Sequence, residues 1–337
     1  MAFKSLFDRM GELNSAYYKS PKTKIYDDFL TYAHSEKGML TKANATDFYS
    51  RVKNKSQSQF QIIEIGVGNG AFAKGFLDEI KELDKKNSTA VASKIIYTLA
   101  DFSKPVLERA KKFNEDFQNH GKLNSYLFDA SLSDCKLCGE FSDKISGLVT
   151  YDLIRCNELF SDLPSQLYVK IEDEIFLVYF DEKLSPQLQP TVMGDLSELE
   201  LKLIHSLPNG YFIPINRSAA NSISFLSNHL KKGAFMDIFD YGFYLTRDFD
   251  IPADMWNLSI VREYNTQWTV DLNFIYLAAL MQSLEKSSSV QPQKDYVQKI
   301  TGKKLSLSNE KSLDYSLEVS EFEEDDSFYH LRVSNGV

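Results

Sequence analysis

Three absences narrow the reading before any motif is considered. Only 3 cysteines occur in 337 residues, too few for a disulfide framework at this size, which points to a reducing compartment. No apolar run is long enough to span a bilayer. The most apolar stretch, Leu272 to Met281, is interrupted by Asn273 and falls well short of the ~20 residues a spanning helix needs. Positive charge is also scarce. Lys plus Arg number 38 against 47 Asp plus Glu, a net charge of −9 with no basic block, so nucleic acid and anionic membranes are not expected partners. The opening residues, MAFKSLFDRMGELN, mix acids with bases and lack a continuous apolar segment, unlike a signal or transit peptide. The expected setting is the cytoplasm. The remaining composition (43% hydrophobic, 25% charged, 13% aromatic) is that of a globular protein able to bury a sizeable core.

No internal repeat is visible. The first ~50 residues are mixed and polar, with aromatic pairs such as Tyr17 and Tyr18, and read as an N-terminal cap or lid over residues 1–50. A sharp change follows. Gln59 to Gly66 is a β-branched apolar run ending in a glycine-rich turn, and AFAKGFLDEIKEL continues with helical periodicity. Lys94 to Asp101 reads as a second strand before a helix, Ser125 to Ala130 as a third, and Gly147 to Phe160 as a helix or loop running into a fourth. Strands alternating with helices predict a parallel α/β sheet with right-handed crossovers. This core covers 51–167. Tyr168 to Glu182 looks like a β-hairpin, and a proline-rich stretch follows it, so 168–215 is read as an inserted α+β subdomain on the substrate side. Alternation resumes over 216–337 with a helix at SAANSISFLSNHLKK and a buried strand at Gly233 to Phe243. SSSVQPQK reads as a polar linker, and the C-terminus as a hairpin whose two strands flank the acidic run Glu321 to Asp326.

The richest chemical signal is Glu64-Ile-Gly66-Val-Gly68-Asn-Gly70. Between a strand and a helix, such glycines let the backbone approach a ligand with no Cβ in the way. Gly66, Gly68 and Ala71 also fit the dinucleotide fingerprint, but that site expects an acid about 20 residues on, and the acid ending the second strand, Asp101, stands well beyond that. The leading Glu64 and the Gly-x-Gly-x-Gly spacing suit instead the S-adenosylmethionine (SAM) site of class I methyltransferases. Asp101, followed by Phe102, would then take the ribose hydroxyls, and Asp129, followed by Ala130, would lie near the adenine. Open α/β sheets bind ligands at such strand ends. Asn157-Glu158-Leu-Phe-Ser-Asp162-Leu-Pro closes the fourth strand. There a carboxylate could face the methyl donor and orient a cationic nucleophile, although Asp162 before Pro164 also suits the start of a helix. The lone Cys135-Lys-Leu-Cys138 offers too few ligands for zinc, and the five histidines show no ligand spacing, so no metal is expected.

In this order the motifs resemble one family, the SAM-dependent methyltransferases of the MidA type, relatives of the mitochondrial complex I assembly factor that methylates an arginine. The family's opening pattern is matched by Tyr17, Tyr18 and then Asp28-Phe29-Leu-Thr31, with Asp27 at its usual Gly. Its glycine motif is Glu64 to Gly70, and its acidic second strand Ala100-Asp101-Phe102-Ser103. Its NEFFDALP is Asn157 to Pro164, with Ser161 at the usual Asp. Its late motifs resemble Lys232 to Phe243 and Gln267 to Phe274. The resemblance implies a Rossmann-like class I fold with a seven-stranded sheet, SAM as cofactor, Asp28, Phe29 and Thr31 beside its methionine end, and Asn157 among the cofactor-binding residues. It implies a protein substrate methylated on an arginine ω-nitrogen, with Glu158, Asn157 and Asp162 as catalytic candidates; a homodimer is compatible with it. A non-catalytic assembly factor and a small-molecule methyltransferase are the competing expectations. A nicotinamide dehydrogenase is disfavoured by the acid spacing.

Overall fold

The computed structural model describes residues 3–19, 31, 38–131, 138–139, 149–181, 185–192, 194–264, 266–305 and 327–336. Outside these lie Asp27, Asp28, Phe29 and Cys135, the acidic run Glu321 to Asp326, and the first strand expected of the terminal hairpin.

Among the described residues, one large sheet is built from seven substantial strands: β1 (Phe60–Ile65), β2 (Ile95–Asp101), β3 (Lys122–Leu127), β4 (Tyr151–Asn157), β5 (Leu230–Phe243), β6 (Ser287–Pro292) and β7 (Phe328–Ser334). Their spatial order is β3-β2-β1-β4-β5-β7-β6. Two-residue strands, Cys138–Gly139 beside β3 and Leu272–Asn273 beside β5, extend the pairing. The first five run parallel, and β7 is antiparallel to both its neighbours. This is the expected architecture with one reassignment. The sixth strand is Ser287–Pro292, which reads in sequence as a polar linker. It lies at the sheet edge, largely outside the core, and an edge strand can stay polar because its outer side meets water.

Period-two alternation explains how β1 serves two cores. Ile62 joins Phe48, Phe76 and Tyr97 on one face, and Ile63 and Ile65 join Ile154, Ile223 and Leu277 on the other. The first face is covered by α2 (Met39–Val52), α3 (Ala71–Asn87) and α4 (Lys104–Phe113), the second by α6 (Arg217–Ser227) and α8 (Phe274–Ser283). The buried polar group Asp237 on β5 ties α2 to β7: it accepts from Asn44 Nδ2 (2.8 Å), His330 Nε2 (2.8 Å), and Arg332 Nε (2.7 Å) and Nη2 (2.8 Å). Burial lowers the pKa of His330, while Arg332 pairs with both Asp237 and Asp47. Arg332 therefore carries the charge of this network and His330 is a satisfied structural residue.

A second, antiparallel sheet stands beside the first. Gln166–Ile171 and Glu174–Phe180 form the expected hairpin, extended by Phe212–Ile215 and Pro186–Pro190. The N-terminus joins it: Lys4–Ser5 pairs with Phe180 and Tyr179, and α1 (Leu6–Lys19) buries Leu6 and Met10 against Leu167, Val178 and Trp268. Residues 3–19 thus pack with the accessory sheet, while α2 packs on the main one. Within this subdomain α5 (Glu198–Ser206) starts at Ser197 with a reciprocal Ser197–Glu200 capping box.

Candidate active site

Parallel strands β1 to β4 end at one cleft, where the order of the sheet reverses between β1 and β4; ligands of open α/β sheets bind at such a place. The turn after β1 carries Gly66 (φ 71°), Gly68 (φ 55°) and Gly70 (φ 82°), backbone that side-chain-bearing residues adopt at a cost. Gly66 and Gly68 line the cleft. A Cβ on Gly66 would sit 3.0 Å from Leu159 Cδ2. Gly70 does not line the cleft. A Cβ there would sit 2.7 Å from Asn114 Nδ2 and 3.0 Å from Ala110 Cα, so this glycine lets the start of α3 pack against α4.

Asp101 ends β2 and lines the cleft. It accepts from Ser103 N (2.9 Å), and the backbone amides of Gly68, Phe102 and Val67 support it further; burial outweighs them and pushes its carboxyl up to about 6. Beyond β3, Asp129 accepts from the backbone N (3.0 Å) and Oγ (2.6 Å) of Ser131. Phe102, Val106, Phe128 and Ala130 make the cleft apolar beside it. Glu64 is nearly inaccessible despite touching the cleft. The Tyr97 hydroxyl donates to it, Arg155 Nη1 donates to Tyr97 Oη (3.1 Å), and Arg155 stacks 3.6 Å over the Phe72 ring. Burial raises the Glu64 pKa against the pull of Arg155. These three residues form a platform under the glycine turn.

At the end of β4, Asn157 and Glu158 both line the cleft. Asn157 Nδ2 donates to Glu158 Oε1 (3.1 Å), while Asn157 Oδ1 is buried with no hydrogen-bond partner. Glu158 holds φ 47°, in the left-handed region, and its N–H donates to Phe239 O (2.8 Å). Asp162 lies at the same mouth. No helix begins at Pro164; the next element is the strand Gln166–Ile171, so the capping role expected as an alternative for Asp162 does not apply. Its carboxylate takes the Tyr18 hydroxyl instead. Burial and the charge of Asp240 push Asp162 up to about 7, with the Tyr18 bond opposing them. Thr31 lines the cleft as expected.

Several residues of the site had no role assigned from the sequence, although Tyr18 and Asp240 fall within its motifs. Asp240 is fully buried behind the Asn157–Asp162 loop and accepts from the backbone N of Phe160 (2.9 Å), Ser161 (3.2 Å) and Tyr241 (3.0 Å). It fixes the loop's path, and its own carboxyl is pushed up to about 7 by burial. From α1, Met10, Gly11, Asn14 and Tyr18 form one wall. Asn14 clamps that helix down: Nδ2 donates to the carbonyls of Asp162 (2.7 Å) and Trp268 (2.6 Å), and Oδ1 accepts from Trp268 N (2.8 Å). A hairpin of Val261–Tyr264 and Gln267–Val270 completes the surroundings. There Arg262 pairs with Asp271 and lies 4.9 Å over the Tyr241 ring, while burial raises the Tyr264 pKa, with the charges of Glu158 and Asp162 adding to it and Arg262 opposing. Tyr18 and Asp240 each carried a sequence signal, as members of motifs, and Met10, Gly11 and Asn14 did not.

Residues 44–271 match the model of a family described as "Putative S-adenosyl-L-methionine-dependent methyltransferase". Two crystal structures from Burkholderia thailandensis share the fold. One, of a protein described as uncharacterized, superposes with a TM-score of 0.63 at 12% identity, over 99% of this chain and 88% of that one. The other, bound to S-adenosyl-homocysteine, gives 0.61 at 14% identity with the same coverage. Among curated proteins none matches this sequence.

Proposed function

The chain belongs to this family of S-adenosyl-L-methionine-dependent methyltransferases, and we propose that its acceptor is an arginine ω-nitrogen of a protein substrate. The cleft suits the cofactor. Asp101 offers a carboxylate to vicinal hydroxyls, the Phe102–Val106–Phe128 surface suits an adenine, and the left-handed backbone at Gly66 and Gly68 brings the main chain to the cleft. The buried, unpartnered Asn157 Oδ1 is an acceptor suited to the cofactor's ammonium group. One of the Burkholderia structures holds the demethylated cofactor product, in keeping with this assignment. When bound, the cofactor supplies a methyl group on a sulfonium.

The observation that carries the acceptor reading is the pair of carboxylates, Glu158 and Asp162, at one mouth of the cleft. A guanidinium is always protonated in proteins. A carboxylate holding its far nitrogens localises the charge there and leaves the near nitrogen more nucleophilic. Glu158 is suited to that role, since its backbone is fixed by Phe239 O and its side chain by Asn157. Rate then comes largely from positioning and from charge held in place beforehand. Incubation with labelled SAM and cell lysate tests the reading: label is expected in protein, released on hydrolysis as ω-methylarginine. Label confined to small molecules would overturn it in favour of a small-molecule acceptor. SAM binding with no transfer at all would leave a non-catalytic assembly factor.

A further inference from the structure

We propose that Asp162 receives the proton that the acceptor nitrogen must lose on methylation, and that Tyr18 is the residue that positions it. The inference rests on the nitrogen acceptor proposed above. As the nitrogen lone pair forms the N–C bond, the C–S bond breaks and its electron pair goes to sulfur, leaving a neutral thioether. The nitrogen's N–H bond then breaks and the proton passes to the Asp162 carboxylate. The acceptor leaves with the charge it brought, and Asp162 is neutral until it returns the proton to water.

The geometry separates the two carboxylates of the mouth. Glu158 is engaged by Asn157 at the strand end. Asp162 stands three residues past the loop's turn at Leu159 and lines the same cleft. Tyr18 is the one side-chain donor to the Asp162 carboxylate among the described residues, and it engages Oδ2. Tyr18 is itself placed by α1, which Asn14 fastens to the carbonyl of Asp162 and to both polar backbone groups of Trp268. Among the described residues, the groups facing Asp162 are Tyr18 from α1, Asp240 and Tyr241 from β5, Cys156 from β4, Tyr264 from the adjoining hairpin, and Glu158 on its own loop. None of those is a cation, Arg262 of that hairpin is paired with Asp271, and Asp240 is a second buried acid, so the site favours the protonated form more than water does. A carboxyl pushed up to about 7 is half ionised at neutral pH, the condition in which a general base is most effective. The sign follows: the ionised form accepts the proton, so transfer rises with pH through about 7. The Tyr18 hydroxyl favours that ionised form, so removing it moves the rise to higher pH.

Two measurements test this on the full chain. In the first, transfer of label from SAM to unfractionated lysate protein is followed from mildly acidic to mildly alkaline pH. Asp162→Asn is expected to lose about 100-fold or more and to flatten the profile. Tyr18→Phe should keep a rate plateau but reach it at higher pH. A wild-type rate and profile in Asp162→Asn, or an unmoved profile in Tyr18→Phe, would overturn the proposal. The second measurement needs no acceptor. In protein carrying 13C-labelled aspartate, the resonance missing from Asp162→Asn should titrate near 7 and move upward in Tyr18→Phe. A midpoint in the ordinary aspartate range overturns the proposal whatever the activity. If label reaches only small amines with the same pH profile, the protein-arginine reading falls and this one stands.

Discussion

Glu158→Gln and Glu158→Gly together separate catalysis from stability at one position. Glutamine keeps the shape and the Asn157 contact but removes the charge. Losing one preorganised charge-stabilising group of this kind costs about 3 kcal/mol of barrier, or about 100-fold in transfer rate, with cofactor affinity nearly intact. The backbone supplies a second, opposite expectation. Glu158 holds φ 47° with its N–H bound to Phe239 O (2.8 Å), a conformation that costs a residue with a Cβ about 1–2 kcal/mol and glycine almost none. Part of that gain is offset by the greater freedom of glycine in the unfolded chain, leaving about 0.5–1 kcal/mol. For a chain of this size that is a rise of about 1 °C in Tm. Glu158→Gly is therefore expected to be slightly more stable than the wild type and at least as impaired as Glu158→Gln. Transfer from labelled SAM gives the rates, and calorimetric unfolding gives the Tm. Wild-type transfer by Glu158→Gln would refute the role of the charge. A clear fall in Tm for Glu158→Gly would refute the claim that the strained backbone is kept for its side chain.

Three further expectations follow from the cleft and the core. Gly66→Ala places a Cβ 3.0 Å from Leu159 on backbone of φ 71°, so S-adenosylhomocysteine affinity should fall by at least about tenfold in calorimetry; unchanged affinity would remove this glycine from the site. Asp101→Asn removes a charged acceptor worth about 1.5–3 kcal/mol, weakening the same binding roughly 10- to 100-fold, and the wild-type affinity should decline as pH drops through about 6, a dependence the variant lacks. Asp237→Asn removes one of the two carboxylates that pair with Arg332, leaving Asp47, and should cost about 1–3 kcal/mol in denaturant unfolding. The Asp237 carboxyl is held well below the ordinary range by Arg332 and His330 against the cost of burial, so its contribution is complete above the unfolded value near 4 and fades as pH falls below it; the variant's stability should lack that part of the acid loss.

The ends of β1 to β4 were legible because each ends an apolar run at a glycine, an acid or an Asn-Glu pair, and those ends converge wherever parallel strands align. Thr31, Glu64, Gly66, Gly68, Asp101, Phe102, Asp129, Ala130, Asn157, Glu158 and Asp162 all meet at one cleft. Gly70 fits the same spacing, yet spacing cannot tell a glycine that admits a ligand from one that admits a neighbouring helix. The Ser287–Pro292 strand was illegible for a related reason: pairing, not burial, makes it a strand, and its pairing partner Phe328–Ser334 lies far along the chain. Tyr18 and Asp240 fall within sequence motifs, but their roles and that of Asn14 were hidden because they depend on contacts with Asp162, Trp268 and the Phe160–Ser161 backbone, which no local pattern encodes. Tyr97 and Arg155 were missed because a polar residue in a strand does not announce which buried partner it meets.

The place of α1 bears on how the protein is made. Helix α1 is made well before the partners it packs on: Arg9 bonds to the carbonyl of Phe180, 171 residues on, and Asn14 to Trp268, 254 residues on. Contacts so distant in sequence are slow to form, and domains generally assemble in the order of synthesis. The strands that carry Gly66, Asp101 and Asn157 can pair while α1 still waits, its Leu6 and Met10 exposed. A nascent chain halted before Trp268 would thus hold the donor half of the cleft without its wall. Synthesis itself delays the moment at which the Asp162 mouth is closed, and pulse proteolysis of arrested chains should show α1 becoming protected only after residue 268 has emerged.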